Sequence, residues 1–276
     1  MVTLDEALCI GCGTCAEICH EHCIDMVDGL PCIDHELCST CTQCIAACPE
    51  EALGWDGVVP MPFEPARLPS PAQLDELFKE RRTMRHFRPK KLDRELVEEI
   101  VRYGIYAPTN NYNLRAILVD DQAVIDELEQ INLRFVRRIY NLFYRPRIVF
   151  GLLGRLTPAM QEKDKVKIEA GLERERVFSH APAMVFVVGY KRIAHSEASA
   201  HYALYNMILY AQTKGVGSTI SGGGKLALGG NKAAQALLGL EKGESILAIL
   251  LLGYPAVRFR NKVNGKEMPV VWVGGE

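Results

Sequence analysis

The sequence predicts an α+β protein in which a small cysteine-rich domain precedes a larger domain of helices around a sheet. Three observations predict this organisation. All ten cysteines lie between Cys9 and Cys48, and prolines crowd the stretch from Pro60 to Pro71. After that stretch, apolar residues recur at helical spacing in some segments and run continuously, as in buried strands, in others. We therefore expect one domain at residues 1–60, a proline-rich linker at 61–71 and a second domain at 72–276.

The charge distribution supports the same division. The formal net charge is only −2, yet residues 1–60 contain no Lys or Arg. All 32 basic residues, but only 23 of the 34 acidic residues, therefore follow Pro60. An acidic module joined to a basic one is typical of a two-domain chain. The near-neutral total gives no case for nucleic-acid binding, and no apolar run is long enough to span a bilayer.

The cysteines form two copies of one pattern, offset by 29 residues. Each copy has three cysteines separated by two residues and a fourth after three more: Cys9, Cys12, Cys15 and Cys19, then Cys38, Cys41, Cys44 and Cys48. Three thiolates on one tight loop can bind three irons of a cubane, and in two-cluster ferredoxins the fourth cysteine of each run serves the other cluster. We therefore assign Cys9, Cys12, Cys15 and Cys48 to one [4Fe–4S] cluster, and Cys38, Cys41, Cys44 and Cys19 to the other.

This region resembles a bacterial 2[4Fe–4S] ferredoxin along its whole length. It departs from the motif at His20, where proline normally follows the fourth cysteine; no ligand is lost. Cys23 corresponds to Ala52 under the offset, which indicates a small residue packed beside a cluster, with a swapped ligand as the alternative. Cys32 has no assigned role. The N-terminus has neither the basic nor the apolar region of a secretory signal, so we expect a reducing, cytoplasmic setting.

The second domain is predicted to begin with a helix capped by Ser70, with Pro71 at its first position. Further helices are predicted after Asp93, over residues 123–144, over 198–214 with Gly215 as its stop, and after Asn231. Strands are predicted at 116–119, 183–188 and 245–253. Residues 140–180 indicate a lid, a dimer element or ordinary core packing, and these alternatives remain open.

Four short segments, each at the end of a predicted helix or strand, occur one after another along the second domain. They are RRTMRHF at 81–87, APTNN at 107–111, GVGSTISGG at 215–223 and LGYPA at 252–256. Neither the G-x-G-x-x-G dinucleotide motif nor the spacing of a P-loop is present. In this order the segments resemble the nitroreductase family over roughly residues 72–260. That resemblance implies an FMN-binding α+β fold and a homodimer, and the whole chain resembles ferredoxin–nitroreductase fusions.

The resemblance also implies which residues bind FMN. Arginine forks suit a phosphate, so Arg81, Arg82, Thr83 and Arg85 are candidates for the phosphate end. A second cation is expected near the C-terminus; among Arg258, Arg260, Lys262 and Lys266 we choose Arg260.

The resemblance implies that the segment at 215–223 is a glycine loop after the long helix. The backbone N–H groups of Ile220, Ser221, Gly222 and Gly223 in that loop are expected beside the flavin ring, where glycine allows close approach. Thr109 and Asn110 would reach the ring or the ribityl chain from the partner subunit. The family's usual Asn-x-Gln-Pro-Trp stretch is replaced by YNLRA at 112–116. Asn113 is included as a cofactor contact, although the roles of Asn111, Asn113 and Arg115 are left open by that replacement.

The expected activity is FMN-dependent reduction of a small electrophile, such as a nitroaromatic, quinone or enone, with electrons relayed through two [4Fe–4S] clusters. No acid–base dyad or nucleophile is predicted. The donor is left open between NAD(P)H and an external redox protein. The alternatives are a non-catalytic electron carrier or redox sensor, and a different FMN reaction such as reductive dehalogenation.

Overall fold

The computed structural model describes residues 1–108, 113–156, 161–173, 177–263 and 267–274. Its N-terminal part contains four short strands and two short helices: β1 (Val2–Leu4), α1 (Thr14–Ile18), β2 (Ile24–Val27), β3 (Leu30–Ile33), α2 (Gln43–Ala47) and β4 (Leu53–Trp55). β1 pairs antiparallel with β4, and β2 pairs antiparallel with β3.

The 29-residue repeat in the sequence is also a repeat in structure. α1 and α2 begin and end 29 residues apart, and each ends at the fourth cysteine of its run. Each helix follows a residue in the left-handed region, Gly13 with a φ of 76° and Thr42 with a φ of 62°. The pairing of Val2 with Trp55 corresponds, under the same offset, to the pairing of Pro31 with Met26. The two halves are therefore similar units.

The proline-rich stretch connects this part to the rest of the chain. Its one regular piece is a 3₁₀ turn at Pro65–Arg67, because proline lacks the N–H that longer helices and strands require. Helix α3 (Pro71–Glu80) then begins at Ser70, as predicted. Ser70 Oγ accepts a hydrogen bond from the Gln73 N–H, and Gln73 Oε1 accepts one from the Ser70 N–H. This reciprocal capping box fixes the helix start.

A four-stranded antiparallel sheet forms the centre of the larger part, in the order β5-β6-β8-β7. The strands are β5 (Arg115–Val119), β6 (Ala183–Gly189), β7 (Gly217–Ile220) and β8 (Ser245–Gly253). The remaining helices are α4 (Arg94–Arg102), α5 (Gln122–Ile139), α6 (Arg147–Leu156), α7 (Glu162–Glu173), α8 (Ser196–Thr213), α9 (Gly222–Leu228) and α10 (Lys232–Leu237).

Helices cover both faces of this sheet. Successive side chains of a strand point to opposite faces. Val185 and Val187 of β6 accordingly pack in the cluster that contains residues of α4 and α8, whereas Met184 and Phe186 pack in the cluster that contains residues of α5, α9 and α10. Every residue of β6 is buried, which explains its unbroken apolar run. The predicted α+β class of this part of the chain is confirmed.

Three local features differ from the sequence predictions. The long helix at 123–144 ends its α-helical part at Ile139 and continues as a π-helical turn, Tyr140–Tyr144. The segment at 215–223, predicted as a glycine loop, instead forms β7 and the start of α9, because its backbone pairs with β8. Asp93 precedes α4 as expected, but its side chain makes no capping hydrogen bond. Among the described residues, no helix has both the length and the apolarity of a membrane span.

Gly253 is required at the end of β8. An added Cβ there would lie 2.6 Å from Pro182 Cδ and 2.7 Å from Phe87 Cδ1, both too close for a carbon–carbon contact, so the rings or the backbone would have to shift. Overpacking of this kind costs about 1–3 kcal/mol. We expect Gly253→Ala to lower the urea midpoint of unfolding accordingly. Gly171→Ala in α7 is the control, since its Cβ would meet nothing within 4 Å and alanine favours helix. Equal midpoints for Gly253→Ala and the wild type would contradict this packing.

Candidate cofactor sites

Two cavities in the N-terminal part are lined by cysteines. Cys9, Cys12, Cys15 and Cys48 line the first, and Cys19, Cys38, Cys41 and Cys44 line the second. These are the two ligand sets assigned from the spacing. Every residue that lines the second cavity is the 29-residue counterpart of one that lines the first; Ile24, for example, corresponds to Leu53. The structure thus brings each predicted set together, and the identity of what it binds stays a prediction.

The donor set of each cavity fits a cubane cluster. Within the described ranges, no three or more His, Cys, Asp or Glu side chains converge as ligands of one metal ion would. A [4Fe–4S] cluster makes a different demand, because each thiolate binds a different iron and the four sulfurs surround the cluster. Four thiols around one shared space meet that demand. Cys15 and Cys44, at corresponding positions in α1 and α2, are buried at the two sites.

The two cysteines outside the motifs have different surroundings. Cys23 is buried, lines the second cavity, and has its Sγ 3.5 Å from the Sγ of Cys19. Burial raises the pKa of the Cys23 thiol to about 12, so without a bound iron it is protonated. Cys32 is exposed on β3 and lies outside both cavities. His20 and His22 are exposed.

Three of the four segments typical of the family meet at one place in the larger part of the chain. The Met84 N–H donates to the Ser218 carbonyl at 2.9 Å, and the Arg88 N–H donates to the Tyr254 carbonyl at 2.8 Å. The Ala256 N–H donates to the His86 carbonyl at 2.8 Å. Residues 84–88 are therefore held by backbone hydrogen bonds to β7 and to the segment that follows β8. A Cβ on Gly217 would lie 2.8 Å from Met84 Cγ, so this approach needs a glycine.

A cavity of about 360 Å³ opens at this junction, within the size range of ligand pockets. Arginines dominate its polar lining: Arg81, Arg82, Arg88 and Arg258. Glu80 is the one carboxylate among the described residues that line it. Gly215, Gly217 and Ser218 contribute small residues to the lining. An excess of guanidinium groups over carboxylates favours an anion, and arginine binds phosphate through two oxygens at once.

The predicted phosphate residues divide between this cavity and its surroundings. Arg81 and Arg82 line it, and the Arg82 guanidinium also donates to the carbonyls of Lys79 and Arg81. Thr83 and Arg85 are exposed and do not line it, whereas Met84 between them is buried.

The C-terminal cations also divide. Arg258 lines the cavity, while Arg260 and Lys262 line a neighbouring groove, where Lys262 pairs with Glu76. Lys266 lies outside the described residues.

The residues expected beside the flavin ring lie at the far end of β7. Ile220 ends the strand and is 42% exposed, and Ser221 Oγ accepts a hydrogen bond from the Gly224 N–H. Gly222 and Gly223 have open space where a Cβ would stand. Three strand steps separate Gly217 from Ile220, about 10 Å. The strand thus connects the arginine-lined cavity to the glycines that begin α9.

The second segment, APTNN, is described only in part. Thr109 and Asn110 lie outside the described residues, as does Asn111. Asn113 Nδ2 donates to Ser196 Oγ at 3.5 Å, and its Oδ1 is buried without a partner in the described structure.

Arg115 contributes to the fold. Its guanidinium donates to both carboxylate oxygens of Glu244, at 3.1 and 2.6 Å, and lowers the pKa of that carboxyl through the hydrogen bond.

Sequence reasoning missed Arg88, Ser218 and Tyr254, all of which line the cavity. Local signals were present for all three, since Arg88 stands directly after the aromatic that ends the first segment, and Ser218 and Tyr254 lie within the segments at 215–223 and 252–256. The backbone pairing that brings these residues together joins parts of the chain that lie far apart in sequence.

Comparisons with known proteins agree with this architecture. Residues 78–254 match the nitroreductase family. A nitroreductase with bound FMN from Desulfitobacterium hafniense DCB-2 is 20% identical, with 72% of this chain and 97% of that chain covered and a TM-score of 0.56. A nitroreductase with bound FMN from Bacteroides fragilis NCTC 9343 is also 20% identical, with 72% and 98% covered and a TM-score of 0.51.

A third similar structure is oxidised iodotyrosine deiodinase bound to FMN and 3-iodo-L-tyrosine, at 20% identity, 73% and 99% coverage and a TM-score of 0.51. No curated protein sequence matches the chain. At these identities the solved structures show a shared fold, and the family match itself covers more than half of the chain. The chain therefore belongs to the nitroreductase family of flavin-dependent oxidoreductases.

Proposed function

We propose that this protein uses FMN to reduce a small electrophilic substrate, with electrons delivered through two [4Fe–4S] clusters in residues 1–60. The observation that carries the proposal is the combination, in one chain, of two four-cysteine cavities with an arginine-lined cavity in a nitroreductase fold. Iron–sulfur clusters transfer single electrons, and FMN accepts electrons singly and transfers them in pairs.

The arginine-lined cavity is proposed to hold the FMN phosphate. Two of the similar nitroreductase structures contain bound FMN. In this chain Arg81, Arg82 and Arg258 would bind the phosphate oxygens, and Ser218 would add a hydroxyl. The backbone N–H groups of Ile220, Ser221, Gly222 and Gly223 would orient the flavin ring. Thr83, Arg85, Asn113 and Arg260 do not line this cavity, and their contacts with FMN stay predictions from the sequence.

The active unit is proposed to be a homodimer, as the family resemblance implies. Helix α6 presents apolar side chains to solvent in the single chain: Ile148 is 86% exposed and Leu152 is 59% exposed. Residues of the C-terminal segment, including Val271 and Trp272, are also highly exposed. A second copy would remove this apolar surface from water. Thr109 and Asn110 would then contact the partner's flavin.

The reaction class is proposed to be reduction of a nitroaromatic, quinone or enone. The residues at the site bind and orient; none of them is assigned as a proton donor or nucleophile. Reductive dehalogenation is the second candidate, since the iodotyrosine deiodinase of similar fold is bound to FMN and 3-iodo-L-tyrosine. An electron carrier would need no open space for a substrate, and the space beside Gly222 and Gly223 at the start of α9 favours an enzyme.

Anaerobic turnover tests the proposal. Purified protein would be supplied with NADH, NADPH or a reduced ferredoxin, and loss of a nitroaromatic or quinone would be followed against release of iodide from an iodophenol. We expect consumption of the nitro compound or quinone. Iodide release alone would select dehalogenation. If the flavin were reduced but none of these substrates reoxidised it, the result would contradict the proposed enzymatic activity and favour an electron carrier.

A further inference from the structure

The second cysteine-lined cavity contains a fifth thiol. Cys23 is 5% exposed and lines the cavity together with Cys19, Cys38, Cys41 and Cys44. Its backbone is fixed, because the Asp34 N–H donates to the Cys23 carbonyl at 2.8 Å. The sulfur atoms of Cys23 and Cys19 are 3.5 Å apart, which is contact distance. If Cys23 replaced Cys19 as a ligand, the new ligand sulfur would therefore start only 3.5 Å from the sulfur that it replaces.

The first cavity is an internal control for this feature. The counterpart of Cys23 there is Ala52, which is 2% exposed and lines the cavity with Cys48. The cysteine ligands of the two cavities otherwise correspond one to one under the 29-residue offset. At this position the first cavity has a methyl group and the second has a thiol, so four thiols line one and five line the other.

We propose that Cys23 is a reserve ligand for the second [4Fe–4S] cluster and can bind the iron that Cys19 holds. The inference rests on the proposed function, because it requires a cluster in each cavity. In the exchange, the iron–sulfur bond to Cys19 breaks and one to Cys23 forms, and the proton of the Cys23 thiol passes to the departing Cys19 thiolate. No electron is gained or lost. In a Cys19→Ala variant, the proton of Cys23 goes to solvent instead.

The difference in exposure between Cys19 and Cys23 suggests what a reserve ligand would do. Cys19 is partly exposed, whereas Cys23 is buried. Exposed thiolates are the ones that oxidants and alkylating agents reach first. A buried thiol in contact with the vulnerable ligand would keep the second cluster in place when Cys19 is lost, so that electron transfer along the chain continues.

Four variants of the full-length protein, purified anaerobically, test the proposal. They are Cys19→Ala, Cys19→Ala with Cys23→Ala, Cys48→Ala, and Cys48→Ala with Ala52→Cys. The readout is the number of reduced [4Fe–4S] clusters per chain, from integrated electron paramagnetic resonance spectra after dithionite reduction, together with iron and sulfide content. We expect Cys19→Ala to retain about two clusters per chain, and the Cys19→Ala, Cys23→Ala protein to retain about one. Cys48→Ala should retain about one, and adding Ala52→Cys should restore the second.

The outcomes separate this inference from the proposed function. Wild-type protein without two clusters would contradict the proposed function itself. Two clusters in the wild type, with equal loss in Cys19→Ala and in the double variant, would overturn the reserve ligand alone. Cys23→Ala alone must keep both clusters; loss of one would mean that Cys23 is the resident ligand. If Cys19→Ala does not fold, the Cys48→Ala, Ala52→Cys protein decides whether a thiol at this position can bind the iron, because Ala52 is the counterpart of Cys23 in the first cavity. Recovery of the first cluster supports the reserve ligand, and failure to recover it overturns the proposal.

Discussion

Replacing Cys15 or Cys44 with alanine is expected to remove one [4Fe–4S] cluster and leave the other in place. The two residues are each 8% exposed and occupy corresponding positions in α1 and α2. Each would bind an iron from the tight loop that supplies three of the four thiolates. Each is the only cysteine of its helix, α1 or α2, that lines its cavity. Iron content should fall from about eight to about four atoms per chain in each variant, with an equal fall in sulfide.

Cys32→Ala is the matched control, because Cys32 is exposed and lies outside both cavities. It should keep all the iron. Circular dichroism and FMN content should stay at wild-type values in all three variants, which would show that the larger part of the chain is folded. Full iron content in Cys15→Ala, whose cavity has no fifth thiol, or zinc in place of iron in the wild type, would show that the cysteines serve another purpose.

Arg81→Ala and Arg258→Ala are expected to weaken FMN binding strongly. Hydrogen bonds to charged groups contribute about 1.5–3 kcal/mol each, which corresponds to roughly 10- to 100-fold in Kd for each substitution. The double variant should lose more than either single one, with an interaction between them because both would contact one phosphate. Titration of apoprotein with FMN, followed by quenching of flavin fluorescence, measures these constants.

Arg260→Ala distinguishes the two candidate C-terminal cations. Arg260 lines the neighbouring groove and not the arginine-lined cavity, so its substitution should change the Kd for FMN by less than about threefold, a surface-charge effect. A large loss in Arg260→Ala and none in Arg258→Ala would support the choice made from the sequence and would place the phosphate outside the cavity.

Local signals in the sequence predicted most elements of the larger part of the chain. Strand β8 occupies the predicted residues, and α3 begins at the predicted cap, because each depends on residues that are close in sequence. Gly215 ends α8 with a φ of 70°, as a helix-stopping glycine does. The ordered set of four segments indicated the nitroreductase family, and the family match confirms it.

The cysteine sets could be proposed from spacing because cluster ligation imposes a fixed local pattern, and in two-cluster ferredoxins the fourth cysteine of each run serves the other cluster. The arginine-lined cavity could not be built in this way. Its walls depend on hydrogen bonds between Met84 and Ser218 and between Arg88 and Tyr254, which join segments far apart in sequence. Which of Arg258 and Arg260 faces the cavity depends on the path of the chain after β8, for which the sequence carries no periodic signal.

The cofactor content of protein isolated without oxygen tests the central claim most directly. Iron, acid-labile sulfide and flavin would be assayed per chain alongside the absorbance spectrum. The two four-cysteine cavities and the arginine-lined cavity predict about eight irons, about eight sulfides and about one FMN. Zinc in the cysteine sites, or iron and sulfide without any flavin, would contradict a protein in which two clusters supply electrons to FMN.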